Sequence, residues 1–143
     1  MAIDRKNWRI ELKKRFSINP VWPEPDIEDG WRDLVCDLVD RLEQTLVPFS
    51  ISQIKQKFGA LRFYVEAPRN HAESKEFFRM IQEAEQKSES ICELCGFAGK
   101  ARSFVYIMTL CDECVEFKKM EDWRFQLKPP DAFGLFGEGR NGA

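Results

Sequence analysis

Two pairs of cysteines, Cys92-Glu-Leu-Cys95 and Cys111-Asp-Glu-Cys114, stand fifteen residues apart. A CxxC pair turns the chain so that both sulfurs face one point, and two such pairs at this separation have the spacing of a four-cysteine zinc site. Four thiolates satisfy a tetrahedral ion and leave no position for water or substrate, so a Zn²⁺ held there is structural and not a Lewis acid. Two disulfides would need an oxidising compartment, and no other feature of the sequence points to one.

Few other residues carry chemistry. Cys36 lies between Leu34-Val35 and Leu38-Val39 and reads as a small buried hydrophobe. A nucleophilic pair with His71, the single histidine, is the weaker reading. Asp33, Asp37, Asp40 and Glu43 recur at helical spacing. Such carboxylates could serve acid–base or Mg²⁺ chemistry, but a solvated acidic surface is the plainer expectation. Lys55, Lys57, Arg62 and Tyr64 alternate with apolar residues, and cations around an aromatic are how single-stranded nucleic acid is often held. They are also how the wet face of an antiparallel sheet looks. Lys100 and Arg102 extend the basic set. Asp33, Asp37, Asp40, Lys55, Lys57, Arg62 and Tyr64 are therefore the candidate binding surface. With no nucleophile–base–orienter set, no phosphate loop and no open metal position legible, the expectation is a non-enzymatic protein without a small-molecule substrate.

The elements that must position these residues follow from periodicity. Residues 4–16 read as a helix capped by Asp4, with Trp8, Leu12 and Phe16 on one face. The prolines of 19–25 make an extended linker, in which Trp22 either tucks onto the core or anchors an interface. Residues 30–46 read as a helix capped by Asp29, burying Trp31, Leu34, Val35, Leu38, Leu42 and Leu46. Residues 51–65 read as a hairpin turning at Gly59-Ala60, with Ile54, Phe58, Leu61, Phe63 and Val65 inward. Residues 71–90 form a second long helix, with a capping box from Asn70 to Glu73 and a stripe of Phe77, Phe78, Ile81 and Ala84. That helix leads almost directly into Cys92, so a rigidly attached ribbon is expected. Between the knuckles, Gly96–Gly99 is a turn and 103–110 a strand. Residues 115–127 return to helix with Phe117, Met120, Trp123 and Leu127 inward, and Pro129-Pro130 stop it. Phe133, Leu135 and Phe136 either dock on the body or meet a partner. The expected fold is α+β, with helices packed on a small antiparallel hairpin and a four-cysteine zinc ribbon followed by a C-terminal helix. The expected division is a body at 1–90, the ribbon and its helix at 91–128, and a flexible tail at 129–143.

Composition sets the frame. The 143 residues are 43% hydrophobic and 32% charged, as in globular proteins, with a net charge of −2. That balance argues against a wholly electrostatic nucleic-acid binder, yet the charge is segregated. Residues 1–19 hold six basic and two acidic side chains, whereas 24–46 hold eight acidic and two basic. A basic end and an acidic face favour protein partners at least as much as nucleic acid. The polar N-terminus has no signal-peptide character and no apolar run approaches a membrane span. The expectation is a cytoplasmic protein with reduced cysteines and no membrane partner.

The order Asp-Gly-Trp-Arg-Asp-Leu-Val-Cys-Asp-Leu (29–38), Gln-Ile-Lys-Gln-Lys-Phe-Gly-Ala-Leu-Arg-Phe-Tyr (53–64), Ala-Glu-Gln-Lys-Ser-Glu-Ser-Ile-Cys-Glu-Leu-Cys-Gly (84–96) and Thr-Leu-Cys-Asp-Glu-Cys (109–114) resembles a family of small proteins encoded by bacteriophages and prophages. In that family GDGWxxLIDRLC, KEKFGxLRFY and SxxxCExCG…TLCDEH occur in the same order. The resemblance covers residues 29–114. Cys114 stands where many relatives have His, and either residue binds zinc. A further Cys-rich segment seen before the Gly-Trp motif in some relatives has no counterpart here. The resemblance implies a phage origin and the bacterial host cytosol, and it brings no catalytic mechanism. A small acidic phage protein with a rigid ribbon, a basic end and exposed aromatics suits the binding and modulation of a host protein or nucleoprotein machine, an inhibitor of a defence system such as CRISPR being one version. In that version the acidic helix imitates nucleic-acid phosphates. The alternative is direct DNA or RNA binding through the basic hairpin face and the ribbon.

Overall fold

The computed structural model describes residues 2–16 and 24–121. The chain is α+β. A 3₁₀ turn over Arg5–Asn7 leads into α1 (Trp8–Phe16), and a second turn over Asp29–Trp31 leads into α2 (Arg32–Glu43). The hairpin β1 (Ser50–Lys57) and β2 (Ala60–Glu66) follows, then α3 (Ser74–Ser88), the short pair β3 (Lys100–Ser103) and β4 (Ile107–Leu110), and α4 (Asp112–Glu121).

The main core forms where three helix faces meet the inner face of the hairpin. Trp8, Leu12 and Phe16 of α1 are buried, as their four-residue spacing requires. So are Val35, Leu38, Val39 and Leu42 of α2, Phe77, Ile81 and Ala84 of α3, and Ile51, Ile54, Leu61 and Phe63 of the hairpin. Leu34 and Phe78 are partly buried at its margin. Phe49 bridges α1 and α3, its ring 5.1 Å from Phe16 and 5.2 Å from Phe77. The hairpin edges are covered as well. Along β2, the N–H of Leu61 donates to Ser88 Oγ (2.8 Å) and that of Phe63 to Glu85 Oε2 (2.9 Å), so α3 side chains cap an otherwise bare edge. Along β1, the N–H of Asp26 donates to Ile54 O.

Several element ends differ from their sequence expectation. Asp4 caps the first turn as expected, accepting from Lys6 N at 3.0 Å. Asp29 does not cap: it lies inside the 3₁₀ turn, and its carboxylate pairs with Arg9. α2 stops at Glu43, where Gln44 and Thr45 N–H groups turn back to Arg41 and Leu42 and the Thr45 hydroxyl donates to Leu42 O. Leu46 therefore falls beyond the helix and is exposed. α3 starts at Ser74 with no side-chain cap. Asn70 and Glu73 do not form the capping box, because the Glu73 carboxylate accepts from Leu46 N instead. The expected strand 103–110 divides into β3 and β4 around a turn closed by Phe104 N–H to Tyr106 O. α4 begins at Asp112, earlier than 115, and its Phe117 and Met120 are exposed, with Val115 the buried residue. Trp22, Trp123, Leu127, Phe133, Leu135 and Phe136 lie outside the described residues.

Candidate metal centre and the hairpin surface

The knuckles are shaped by backbone hydrogen bonds. Gly96, with φ +87°, turns the chain after Cys95 so that its N–H reaches Cys92 O (2.9 Å), and Cys92 N–H reaches Phe97 O (2.7 Å). In the second knuckle, Val115 N–H donates to Cys111 O (3.0 Å) and Cys114 occupies the first turn of α4. β3 and β4, paired from Lys100↔Leu110 to Ser103↔Ile107, bring the knuckles together. All four sulfurs lie within 4.8 Å of one another, and Cys95 Sγ is 3.7 Å from Cys111 Sγ. A tetrahedron with metal–sulfur bonds of about 2.3 Å has edges of about 3.8 Å, so the donor set fits a tetrahedral ion. The same separation is far longer than a disulfide bond. The Cys114 N–H, 3.4 Å from Cys111 Sγ, stabilises that thiolate and draws its pKa down to about 7. Burial pushes the Cys114 thiol well up. Four sulfurs this close cannot all ionise without a cation to share, and a metal is the group that meets the need.

The ribbon is joined to the body at two places. At the first knuckle, Gly30 N–H donates to Glu93 O (2.6 Å) and Trp31 Nε1 to Ile91 O (2.8 Å). A Cβ on Gly30 would overlap the backbone oxygens of Cys92 and Glu93, so only glycine admits the knuckle here. Glu93 is buried. Its Oε2 accepts from Glu28 N–H (3.2 Å), while Oε1 has no hydrogen-bond partner. Burial raises its pKa to about 7. At the second joint, Thr109 Oγ1 donates to Gly59 O (2.7 Å) and Gln56 Nε2 to Ile107 O (3.1 Å), which seats the hairpin tip on β4. Sequence reasoning placed Trp31 on the buried helix face and gave Gly30 no task of its own, and neither was given the contact with the knuckle. Their task is to receive the knuckle.

The hairpin register gathers the basic candidates. Ile54 pairs with Phe63 on the buried face, so Lys55 and its partner Arg62 point outward, with Tyr64 and Lys57 on the same side. Lys55 Nζ lies 6.0 Å from the Tyr64 ring centre and Lys57 Nζ 5.5 Å from that of Phe58. Phe58 is not inward as alternation suggested. It forms the turn with Gly59 and is exposed, because the register pairs Lys57 with Ala60 and moves the turn one residue earlier than Gly59-Ala60. Arg102 is tied to Leu110 O (3.0 Å) and Asp112 (2.8 Å), whereas Lys100 is exposed.

The acidic candidates have an intramolecular partner that the sequence reading did not assign. Arg5 reaches Asp33 (3.6 Å), Asp37 and Asp40 (3.3 Å) together. Arg9 pairs with Asp29 (2.9 Å) and Arg15 with Glu43 (2.5 Å), so the basic N-terminal helix lies along the acidic one. The opposite net charges of 1–19 and 24–46 were the signal that could have predicted this. Cys36 is buried, and burial raises its pKa to about 11 with Arg5 offsetting only part of the shift. His71 Nδ1 accepts from Glu73 N–H (3.0 Å) at the start of α3. No helix among the described residues is long and apolar enough to cross a membrane. Comparison with protein-family models, with curated proteins and with solved structures gives no match.

Proposed function

We propose that this chain is a non-enzymatic, zinc-stapled binding module that grips nucleic acid, free or within a host nucleoprotein machine, through the outer face of its hairpin. One observation carries the reading. Lys55, Lys57 and Arg62 share a face with Tyr64, and none of the three is in an ion pair among the described residues. Asp33, Asp37 and Asp40 share Arg5, and Asp33 also meets Arg32, whereas the hairpin cations have no carboxylate partner among the described residues. Unpaired cations around an aromatic attract phosphates and give bases a surface to stack on. The non-enzymatic part is supported by the four-cysteine donor set, which closes a zinc ion to substrate, and by Cys36, whose buried thiol is held protonated. The phage-like motif order makes a host nucleic-acid machine in the bacterial cytosol, a defence complex such as CRISPR among them, the setting in which such a grip would act.

Two measurements test this. Metal analysis of freshly purified protein should find one zinc per chain; a metal-free folded protein would overturn the staple. Fluorescence anisotropy with labelled oligonucleotides should show binding that weakens with salt, with a log–log slope of about −2 for three phosphate contacts. The K55E/K57E/R62E triple reversal should abolish it. Absence of binding at low salt, or binding indifferent to the triple reversal, would sink the hairpin assignment.

A further inference from the structure

The hairpin turn puts a large aromatic where the backbone disfavours one. Phe58 and Gly59 both have left-handed φ, +56° and +82°. Two-residue turns of this kind favour Asn-Gly or Asp-Gly, and a bulky residue in the first position is a genuine outlier held in a strained backbone conformation. Phe58 gains no core packing in return. It is 69% exposed, while Ile54, Leu61 and Phe63 of the same hairpin are at most 3% exposed. The turn itself is rigid: Gly59 N–H donates to Gln56 Oε1 (3.0 Å) and Gly59 O accepts from Thr109 (2.7 Å). A strained, exposed ring on a fixed base is the arrangement expected of a contact residue. The exposed Phe117 and Met120 of α4 are less informative, since they sit among the balanced pairs Lys118–Glu121 and Lys119–Glu116 and nothing shows what covers them.

We propose that Phe58 is a base-stacking anchor and that the partner is single-stranded nucleic acid. This rests on the nucleic-acid reading of the hairpin face and deepens it. Two rings mark the ends of that face, Phe58 at the tip and Tyr64 further along β2. Between Ala60 and Tyr64 the strand runs about 14 Å at ~3.4 Å per residue, and Arg62 and Lys55 lie in that interval. Cations between two stacking surfaces match a chain whose phosphates and bare bases alternate. A duplex offers the phosphates but keeps its base faces stacked on one another, so the rings discriminate against it. DNA and RNA share this chemistry.

The test titrates wild type, F58N, F58W and Y64A against a single strand and its duplex, in DNA and RNA versions, with thermal melts of each protein. Asn accepts the left-handed turn, so F58N should melt at or above the wild-type temperature while losing roughly tenfold in single-strand affinity. Its weaker duplex binding should not change, and F58W should retain single-strand affinity. The DNA and RNA arms identify which strand is preferred. F58N binding single strands as wild type does, or wild type binding duplex and single strand equally, would overturn the anchor while leaving the basic grip intact. Wild type binding neither would overturn the nucleic-acid reading itself, and the anchor with it.

Discussion

Burial and charge meet at Glu93, next to Cys92 of the four-cysteine cluster. Its carboxyl is buried with one oxygen unpartnered, and burial holds its pKa near 7 against an ordinary value of 4.5. The folded state therefore retains a proton that the unfolded chain releases between those values. Stability from this group is present below pH 4.5 and is lost as pH rises through 7, by about 3 kcal/mol in all. Glu93→Gln keeps an acceptor for Glu28 N–H and carries no charge. The wild type should therefore lose stability relative to this variant as pH rises from 5 to 8, as read by urea unfolding at each pH; a difference flat with pH would refute the burial account. Cys92 is buried and central to the ribbon core, whereas Cys95 is exposed, yet either is needed to complete four sulfurs. Cys92→Ser or Cys111→Ser should lose the metal and raise amide exchange across 91–121, while Cys36→Ala should keep the metal content unchanged.

Elements are joined here by a few contacts that tolerate little change. The turn before α2 presents Gly30 to the first knuckle, and an added methyl would strike the backbone of Cys92 and Glu93. Gly30→Ala should destabilise by about 2 kcal/mol or more and weaken zinc affinity in a chelator competition. A wild-type midpoint would show that the knuckle can retreat without cost. The N-terminal helix is held differently, by charge at a partly exposed surface. Arg5 serves three carboxylates, so Arg5→Ala should cost about 1 kcal/mol at low salt, a difference that shrinks as salt is added. The apolar faces of these elements were legible because helical and strand periods leave a direct trace: Trp8, Leu12 and Phe16, or Ile54, Leu61 and Phe63, could be placed from their spacing alone. Their ends were not. Leu46 fits the α2 stripe by period, but the chain had already turned at Thr45. Phe58 fits the strand alternation, but hairpin register assigned it to the turn.

At the scale of the molecule, two apolar cores form among the described residues. The body holds a large one, and the ribbon a small one of Cys92, Met108, Leu110 and Val115. Four buried residues among those described are too few to hold a fold alone, so the ribbon rests on the body beneath and, on the proposed zinc reading, on a metal held by its four cysteines. The hydrogen bonds at Gly30–Glu93, Trp31–Ile91, Gly59–Thr109 and Gln56–Ile107 straddle the expected boundary near residue 90. Removing zinc with a strong chelator should accordingly lower the melting temperature of the whole chain, and hairpin-tip amides at 59–61 should exchange faster. A body that melts unchanged beside a disordered ribbon would show the two to be independent.

The cysteine spacing and the apolar periods were set by the sequence alone, because each is a local relation between neighbours on one element. A CxxC pair makes its knuckle from its own backbone, and a stripe at helical spacing is a face whatever it packs against. The tertiary structure alone decided which faces meet. It set the Arg5 clamp on the acidic helix, the seat of the first knuckle on Gly30, the burial of Glu93 and the exposure of Phe58. Each is a contact or a loss of contact between residues distant in the chain or in different elements. Each depends on where whole elements come to rest, which is settled by core packing and hairpin register.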